Sequence, residues 1–552
     1  MDGLSAPRPA PGFEFESAPA FALLDKAVGK FGPRPALDFL GRRWNYAELG
    51  EVVNRAAAGL QKLGVTRGVN VGLCLPNSPY FVVMYYAILK AGGTVVNFNP
   101  LYTVRELESL ARDAEVSLIV SIDLAVIHEK IGPLAAQGVF RRVILCSMAG
   151  ALTPLKSVLM RLFKRQDLAH VPEGAPYIRF DRLLAGNAMP GKVEIDPARD
   201  IAVLQFTGGT TGLPKAAMLT HDNITANVAQ VLAALPDVEI GAERIFGVLP
   251  FFHVFAMTAV MNLGLSVGAE LLLLPRPDIK MIMSTIYRCR PTVLPGVPTL
   301  FTGISMAVEK TGKSDLSFIK FCISGGAPLS AEVHERFEQL SHSQILEGYG
   351  LSETSPVVAF NRPAKAKRGS VGPAVPGSAI EIRDPEHPER LMPQGERGEI
   401  CIRGPQVMPG YYHRPDETAK VFVDGALRTG DIGYLDEDGY LFIVDRIKDL
   451  IICGGYNVYP RMIEEAAYQH PAVQDAIAIG IPDAYRGQAP KLFVSLRPGA
   501  NATGEEIKAF LVEHLNKIEM PKSVEIRETL PKTMVGKLSK KELVAEEAEK
   551  AG

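Results

Sequence analysis

The first third of the chain alternates short apolar runs with segments whose apolar residues recur at helical spacing. Asn45 and Glu48 have the spacing of a capping box at the start of a helix, and one apolar face follows them. That face contains Leu49, Val52, Val53, Ala56, Leu60 and Leu63. Apolar runs at 69–75, 94–98 and 116–120 predict buried strands between helices. This alternation is typical of a parallel, doubly wound sheet.

The later parts of the chain change in texture twice. Further buried strands are predicted at 201–206 and 318–323, in a second region of the same α/β style. From about residue 369, short β-like runs are separated by Gly, Pro and Asp, which indicates a small β-barrel-like subdomain. After Asp445, helical and strand patterns mix again. We therefore predict an α/β fold with a large N-terminal domain (1–444) of two doubly wound subdomains plus the β-rich one, and a small α/β C-terminal domain (445–552).

Composition excludes several classes of protein. The 552 residues are 47% hydrophobic and 22% charged, which excludes intrinsic disorder. The net charge of −2 gives no basic field for non-specific nucleic-acid binding. Six cysteines are scattered without a CxxC pair, which argues against zinc ribbons and fits a reducing cytosol. No secretory signal is visible, and the apolar stretch at 255–269 is shorter than the ~18–20 residues that span a bilayer, so we interpret it as buried core.

The strongest local signal is the segment from Thr207 to Lys215, which reads TGGTTGLPK directly after a predicted strand. A loop rich in glycine and hydroxyl groups can offer backbone N–H groups and side-chain oxygens to phosphates, and Lys215 adds a positive charge. It is not a Walker A loop, because the GK[ST] ending is missing. The alternative is an ordinary flexible turn.

Two glycine-containing segments and one acid suggest a nucleotide site with a metal. In EGYGLSE (347–353), Tyr349 lies between glycines and can lie flat against a planar base, while Glu353 can hold Mg²⁺. ISGGAP (323–328) ends a predicted strand in small residues, which permits close approach of a ligand. Each segment alone also fits a surface turn.

Three charged residues near the C-terminal part complete the candidate site. Asp431 has a carboxylate that can accept two hydrogen bonds from vicinal ribose hydroxyls, and Arg446 can reach ribose or phosphate. Lys537 closes the turn PKTMVGK, where a single lysine is more commonly a solvated surface residue.

Taken together and in this order, the motifs resemble those of the adenylate-forming superfamily: acyl-CoA synthetases, luciferases and peptide-synthetase adenylation domains. The resemblance covers nearly the whole chain. The segments 99–103 (NPLYT), 404–408 (GPQVM) and 455–460 (GYNVYP) look most similar to bacterial long-chain fatty-acyl-CoA synthetases.

The resemblance implies a role for each motif residue. Lys537, Glu353 and Thr207 would be catalytic, with Glu353 binding Mg²⁺, and Lys448 would be the hinge about which a mobile C-terminal domain rotates. His253 would be the gate near the acyl carboxylate, with a buried structural histidine as the alternative. Ser352 stands where the family usually has Thr. The implied ATP- and AMP-binding residues are Thr207, Gly208, Gly209, Thr210, Thr211, Gly212, Lys215, Gly325, Gly326, Ala327, Glu347, Gly348, Tyr349, Gly350, Ser352, Asp431 and Arg446. Met257 joins His253 on the acyl side, and Gly454 and Gly455 lie on the CoA side.

The implied reaction is activation of a long-chain fatty acid by ATP and Mg²⁺, followed by acyl transfer to CoA. A medium-chain or aryl-CoA ligase of the same superfamily remains open, as does a non-catalytic fatty-acid or nucleotide binding protein. Fatty acyl-AMP ligases of this superfamily transfer the acyl group to carrier proteins and carry an insertion before the hinge that hinders rotation. The resemblance disfavours such a ligase, because no insertion is visible between Gly372 and Asp445. Retention of both Glu353 and Lys537 argues against the non-catalytic alternative.

The segment at 152–165 stands outside the nucleotide motifs. Its apolar residues follow helical spacing and are Leu152, Leu155, Val158, Leu159, Leu162 and Phe163. Lys156, Arg161, Lys164 and Arg165 supply positive charge without an acid in the same stretch. Such a helix either lies on an anionic membrane or packs its apolar face on its own protein.

The predicted partners are a fatty acid and CoA, and no nucleic acid. Peripheral membrane contact through 152–165 and a homodimer are open alternatives. The expected location is the cytoplasm, with the inner face of the cell membrane as the site of any peripheral contact.

Overall fold

The structure is a computed structural model that describes residues 13–186, 189–207, 214–312, 315–453, 456–483, 485–533 and 536–551. The elements up to the second predicted region are α1 (Ala22–Phe31), β1 (Pro35–Phe39), β2 (Arg42–Asn45), α2 (Tyr46–Lys62), β3 (Asn70–Leu73), α3 (Pro79–Lys90), β4 (Thr94–Asn97), α4 (Val104–Asp113), β5 (Leu118–Ile122), α5 (Ala125–Ala136), β6 (Arg142–Cys146), α6 (Met148–Ala151), α7 (Pro154–Phe163), β7 (Tyr177–Arg179), α8 (Phe180–Leu183), β8 (Ile201–Thr207) and β9 (Lys215–Thr220).

The second region continues the alternation of strands and helices. Its elements are α9 (His221–Ala234), β10 (Arg244–Gly247), a π-helix (Ala256–Asn262), α10 (Leu263–Ser266), β11 (Glu270–Leu273), α11 (Ile279–Cys289), β12 (Val293–Gly296), α12 (Pro298–Thr311), β13 (Phe321–Ser324), α13 (Ala331–Ser341), β14 (Gln344–Gly350) and β15 (Val357–Phe360).

The β-rich and C-terminal regions follow. The β-rich region contains β16 (Ala379–Arg383), β17 (Gly398–Arg403), α14 (Pro415–Lys420), β18 (Phe422–Val423), β19 (Ala426–Leu435) and β20 (Leu441–Arg446). The C-terminal region contains β21 (Ile451–Cys453), β22 (Tyr456–Val458), α15 (Pro460–Tyr468), β23 (Val473–Asp483), β24 (Gly487–Leu496), α16 (Gly504–Leu511), β25 (Ser523–Arg527) and α17 (Lys541–Ala551).

Two largely parallel sheets form the first two subdomains, as the hydrophobic pattern predicts. The assignment of the strand at 201–206 to the second region was wrong, because this strand, β8, pairs in parallel with β4 of the first sheet. In the described residues, one sheet has the strand order β7-β6-β5-β3-β4-β8-β9, and the other has the order β15-β14-β13-β12-β10-β11-β1-β2. Antiparallel pairs occur only at their edges, as β8–β9, β14–β15 and β1–β2. The predicted β-barrel-like unit is an antiparallel sheet of β16–β20, and the C-terminal sheet combines β21–β25. The fold class is therefore confirmed.

Hydrophobic burial separates the C-terminal region from the rest. One continuous core extends from Ala20 to Leu441 and includes side chains of both α/β sheets. A separate core starts at Ile451, and a smaller one joins Ile477 to Leu543. These separate cores support our proposed boundary near residue 445. Among the described helices, none has both the length and the apolar composition that crossing a bilayer requires.

Helix α3 joins the two parallel sheets. Its residues from Pro79 to Leu89 are all buried, so it is apolar on every side, as an interior helix must be. Just before it, the buried Asn77 donates to the carbonyl oxygens of Gly247 (3.0 Å) and Leu249 (2.7 Å) and accepts from the N–H of Phe251 (2.7 Å). One amide side chain thus fixes the segment that leads from β10 to His253.

We expect Asn77→Ala to destabilise the N-terminal domain by about 2–4 kcal/mol, because it leaves buried backbone groups of the 247–251 segment without partners. Urea unfolding followed by fluorescence measures this change, since the only tryptophan, Trp44, lies in β2. The control is Asn501→Ala at an exposed position, which should change stability by less than about 0.5 kcal/mol. Equal stability of both variants would contradict the bridging role of Asn77.

Candidate functional site

The phosphate-loop candidate lies at the end of an antiparallel hairpin. Strands β8 and β9 pair up to Thr207 and Lys215, so the loop connects two neighbouring strands. Gly208, Gly209, Thr210, Thr211 and Gly212 lie outside the described residues. The Lys215 amine forms an ion pair with Glu417 and lies 5.3 Å from the ring centre of Tyr411. A basic side chain therefore stands at the base of the loop.

Glu353 lies close to this hairpin, in the short 3-10 helix Ser352–Thr354 that follows β14. Its Oε1 accepts a hydrogen bond from the Tyr411 hydroxyl (2.8 Å), and its carbonyl oxygen accepts from the N–H of Met408 (2.8 Å). Burial raises the pKa of Glu353, and the hydrogen bond from Tyr411 opposes that shift. The neighbouring Ser352 is half-buried.

The donor set around Glu353 fits Mg²⁺ only in combination with a polyphosphate. Within the described residues, no group of three or more His, Cys, Asp or Glu side chains could hold a metal ion. Mg²⁺ commonly uses one or two carboxylates together with substrate phosphates and water. A single carboxylate whose charged form is disfavoured by burial would be stabilised by such a cation.

A buried carboxylate connects Tyr349 and Arg446. Asp431 Oδ2 accepts from the Tyr349 hydroxyl (2.6 Å), and Arg446 Nε lies 2.9 Å from Asp431 Oδ1. Asp431 and Arg446 are directly opposite each other on β19 and β20, which explains why residues fifteen positions apart meet. Burial and the Asp431 charge raise the pKa of the Tyr349 hydroxyl, so it remains a hydrogen-bond donor.

Glycines near the ends of β13 and β14 bring backbone close to this cluster. Gly325 is buried after β13, Gly326 is exposed with φ +81°, and Ala327 is half-buried. Gly348 and Gly350 flank Tyr349 in β14, and a Cβ on Gly350 would collide with the Pro356 carbonyl. Because β13 and β14 are parallel neighbours, both segments lie at the carboxyl ends of the strands. In α/β proteins, ligands bind outside these strand ends.

Glu347 lies near the C-terminal domain, because the charges of Arg461 and Glu465 on α15 act on its carboxyl group. Burial raises its pKa to about 7, and the positive charge of Arg461 on α15 opposes that shift. His334 Nδ1 lies 4.0 Å from Glu347 Oε1. Glu347, His334 and neighbouring side chains line an open cavity of about 440 Å³.

Lys537 enters the site from the C-terminal domain. A Cβ on Gly326 would lie 3.0 Å from Lys537 Cε and 3.2 Å from its Nζ, so the lysine passes directly over this glycine. Burial and the positive charge of Arg446 lower the pKa of Lys537 to about 8, while Asp431 opposes the shift. Lys537 also donates its N–H to Thr533 Oγ1 (3.1 Å), which shapes the turn.

His253 is near Lys537 and is uncharged at neutral pH. Burial and the Lys537 charge lower the pKa of His253 to about 3. Its Nδ1 accepts from the N–H of Phe255 (3.4 Å). A neutral imidazole that accepts at Nδ1 carries its proton on Nε2, so Nε2 is available as a donor.

Met257 lies one helical turn beyond His253, in a π-helix that the hydrophobic pattern does not predict. Its side chain is fully buried, and Asn97 Nδ2 lies 3.4 Å from its sulfur. Asn97 also donates to Gln205 Oε1 (3.1 Å), and Gln205 donates to the Phe252 carbonyl (3.0 Å). Short π-helical segments are frequent at functional sites.

The remaining predicted residues lie at the domain junction. Lys448 occupies the 3-10 helix Ile447–Asp449, directly after β20. Gly454 and Gly455 lie outside the described residues. Next to them, Ile452 and Tyr456 are 58% and 63% exposed, which leaves an apolar surface at this end of the C-terminal domain.

The sequence motifs missed several side chains that build the site. Tyr411, Asn97 and Gln205 belong to none of the motifs, and they reach the site only through the fold. Asn97 and Gln205 do carry a signal, since a polar residue inside an otherwise apolar strand suggests a buried hydrogen-bond partner. For Tyr411 no comparable signal exists.

Comparison with known proteins gives a consistent result over nearly the whole chain. Residues 24–412 match the AMP-binding enzyme family, and residues 462–537 match the AMP-binding enzyme C-terminal domain. A long-chain-fatty-acid–CoA ligase of Bacillus subtilis is 42% identical over 540 residues, covering 96% of this chain and 94% of the relative. One from Escherichia coli O6:H1 is 37% identical and covers 94% and 93%.

A solved structure supports the same assignment. The crystal structure of ATP-bound MatB from Rhodopseudomonas palustris superimposes with a TM-score of 0.83 at 30% identity, covering 96% of this chain and 98% of that chain. Motif order, fold and full-length similarity agree, and the chain belongs to the AMP-binding enzymes.

Proposed function

We propose that this chain is a long-chain-fatty-acid–CoA ligase that forms an acyl adenylate from ATP and then transfers the acyl group to CoA. The observation that carries the proposal is the position of Lys537 over Gly326, beside the Tyr349–Asp431–Arg446 cluster. The similarity to ligases of this specificity supports the long-chain substrate.

In the first step, a carboxylate oxygen of the fatty acid attacks the α-phosphorus of ATP, and the bond to pyrophosphate breaks. Negative charge concentrates around the α-phosphate in that transition state. Lys537, Lys215 and the hydroxyl of Thr207 are the groups that we assign to stabilise this charge. Glu353 would hold Mg²⁺, which supplies further charge neutralisation when bound.

We assign different residues of the nucleotide site to the ribose and to the adenine base. Asp431, held by Tyr349 and Arg446, would accept hydrogen bonds from the ribose hydroxyls through its remaining lone pairs. Gly325, Gly326 and Ala327 would lie against one face of adenine and the Tyr349 ring against the other. Gly348, Gly350 and Glu347 would shape the strand that presents Tyr349, and Ser352 would contact phosphate.

In the second step, the CoA thiol attacks the acyl carbonyl carbon, and AMP leaves with the electrons of the mixed anhydride bond. We assign no role to Lys537 in this second step. We therefore propose that the C-terminal domain rotates about Lys448 before CoA attacks. That rotation would remove Lys537 and bring the segment of Gly454 and Gly455 toward the thioester site.

The acyl side of the site begins at His253. A neutral imidazole does not compete with Lys537 for the substrate carboxylate through charge, but it can donate from Nε2. The acyl chain of the substrate would then extend along the apolar π-helix that contains Met257. A medium-chain or aryl acid would use the entrance of this pocket without its depth, and chain-length kinetics distinguish these alternatives.

Lys537→Ala should reduce acyl-adenylate formation by at least about 100-fold, because it removes a positive charge from the transition state. It should change thioester formation from supplied acyl-AMP and CoA by less than about tenfold. Pyrophosphate release with palmitate measures the first reaction, and thioester product measures the second. Lys448→Pro is the reciprocal control: proline restricts the backbone at the hinge, so it should impair only the second reaction. Equal losses in both reactions for Lys537→Ala would contradict two separate conformations.

The rate of adenylation should fall as pH rises through about 8, because the pKa of Lys537 is lowered to that value and only its protonated form carries charge. The measurement is kcat/KM for ATP–pyrophosphate exchange between pH 6 and 10, which reports groups of the free enzyme. Lys537→Arg keeps its charge across this range and should lose the decline near pH 8. An unchanged decline in that variant would assign it to another group.

Met257→Trp should reduce kcat/KM for C16 acids more than tenfold relative to C8 acids, because added bulk would block the deep part of the pocket. Each lost methylene contact contributes up to about 0.8 kcal/mol. Met257→Leu conserves volume and is the matched control. Equal losses at both chain lengths would identify Met257 as an ordinary core residue. If Met257→Trp loses its far-ultraviolet circular dichroism signal for helix, Met257→Phe is tested in its place.

A further inference from the structure

Helix α7 exposes its apolar side to solvent. None of its residues is buried. Leu155, Val158, Leu159, Leu162 and Phe163 are 71%, 54%, 43%, 68% and 77% exposed. The alternative in which this apolar face packs on its own protein is therefore wrong. Only Leu152, which precedes the helix, is buried.

The exposed side chains form one continuous stripe. Their positions differ by three or four residues, so they lie above one another on a single helical face. Two contacts attach the helix to the domain. Met160, on the side away from the stripe, packs against the core, and Lys156, beside the stripe, donates from its amine to the carbonyl of Leu40 (2.6 Å). The helix is thus held with its apolar stripe directed outward.

Basic residues border the stripe. At 100° per residue, Lys156 lies on one side of it and Arg161 on the other, and Lys164 and Arg165 follow at its C-terminal end. Within the described residues, none of these four side chains forms an ion pair with an acid. Asp167, after the basic group, is the nearest acid in sequence. The surface therefore combines unpaired positive charge with exposed apolar area.

We propose that α7 and its basic border form a docking surface for an anionic phospholipid bilayer. Apolar side chains on an outward stripe can enter the boundary between headgroups and acyl chains, while flanking Lys and Arg side chains contact anionic headgroups. The charge complementarity favours a lipid surface over a second copy, because two copies facing each other through α7 would oppose their own basic residues. The surface is distant in sequence from every nucleotide motif. Binding to a bilayer is a separate property from the proposed ligase reaction.

The test is cosedimentation of the full-length protein with phosphatidylcholine vesicles that contain 30% phosphatidylglycerol, at low salt and without substrates. We expect wild-type protein to bind these vesicles at least tenfold more tightly than vesicles of phosphatidylcholine alone. Raising the salt concentration should weaken binding, because the headgroup contacts are screened. No binding to either vesicle at low salt would overturn the proposal.

Two sets of variants separate the apolar and charged contributions. Leu155→Ser, Leu162→Ser and Phe163→Ser together should reduce vesicle affinity at least tenfold. Arg161→Glu, Lys164→Glu and Arg165→Glu together should reduce it about 100-fold, since each basic residue near a membrane contributes about fivefold. The matched control changes three exposed lysines elsewhere, Lys62, Lys192 and Lys310, to Glu. It alters net charge equally and should retain most of the binding.

Folding and self-association are measured on the same samples. Trp44 fluorescence and activity on octanoate should be unchanged in all variants, so that loss of vesicle binding is not loss of folding. Equal loss of binding in the control variant would assign the effect to net charge and overturn the assignment to α7. Size-exclusion chromatography that shows a wild-type dimer, lost in the serine variant, together with no vesicle binding, would make the surface a protein interface instead.

Discussion

The buried carboxylate of Asp431 is the contact on which the arrangement of the site depends. It binds Tyr349 from β14 of a parallel sheet and Arg446 at the end of β20, so one side chain joins two subdomains. A buried charge is tolerable only when it is paired and hydrogen-bonded. The positions of Tyr349 and Arg446 are therefore mutually constrained, and the charges of Arg446 and Asp431 both act on the Lys537 amine.

This constraint requires that the subdomains be rigidly placed. Asn77 fixes the segment before His253, and Asn223 on α9 donates to the carbonyls of Pro405 and Val407 in the β-rich region. Both asparagines are buried and use backbone partners that lie far away in sequence. Polar contacts of this kind have defined geometry, which apolar packing alone does not provide.

Much of the fold could be predicted because local signals agree with the final structure. The capping boxes at Asn45–Glu48 and Thr103–Glu106 are confirmed, and the apolar strand pattern gives two parallel sheets. Strand boundaries differ from the prediction where pairing with neighbouring strands determines them. The apolar run at 116–120 predicts a strand, and the structure has the strand Leu118–Ile122, which pairs with β3 and β6. The π-helix was not predictable, because its apolar residues fit a regular helix equally well.

The candidate site was predictable only in part, for a physical reason. Glycine and charged motifs keep their spacing in sequence, so Gly326, Glu353, Asp431 and Lys537 could be named from the chain. Tyr411, which donates to Glu353, lies in an unrelated segment, and only the tertiary fold brings it there. A contact between distant segments leaves no local pattern to read.

The lowered pKa values of Lys537 and His253 give a physical reason for Lys537 to leave the site during the proposed reaction. Both shifts come from burial beside positive charge: Arg446 acts on Lys537, and Lys537 acts on His253. Bound ATP would offset this positive potential with its phosphates. Once pyrophosphate leaves, the acyl adenylate retains much less negative charge, so the same burial of Lys537 becomes more costly. The electrostatic balance of the site would then favour withdrawal of Lys537 at the stage where CoA needs access.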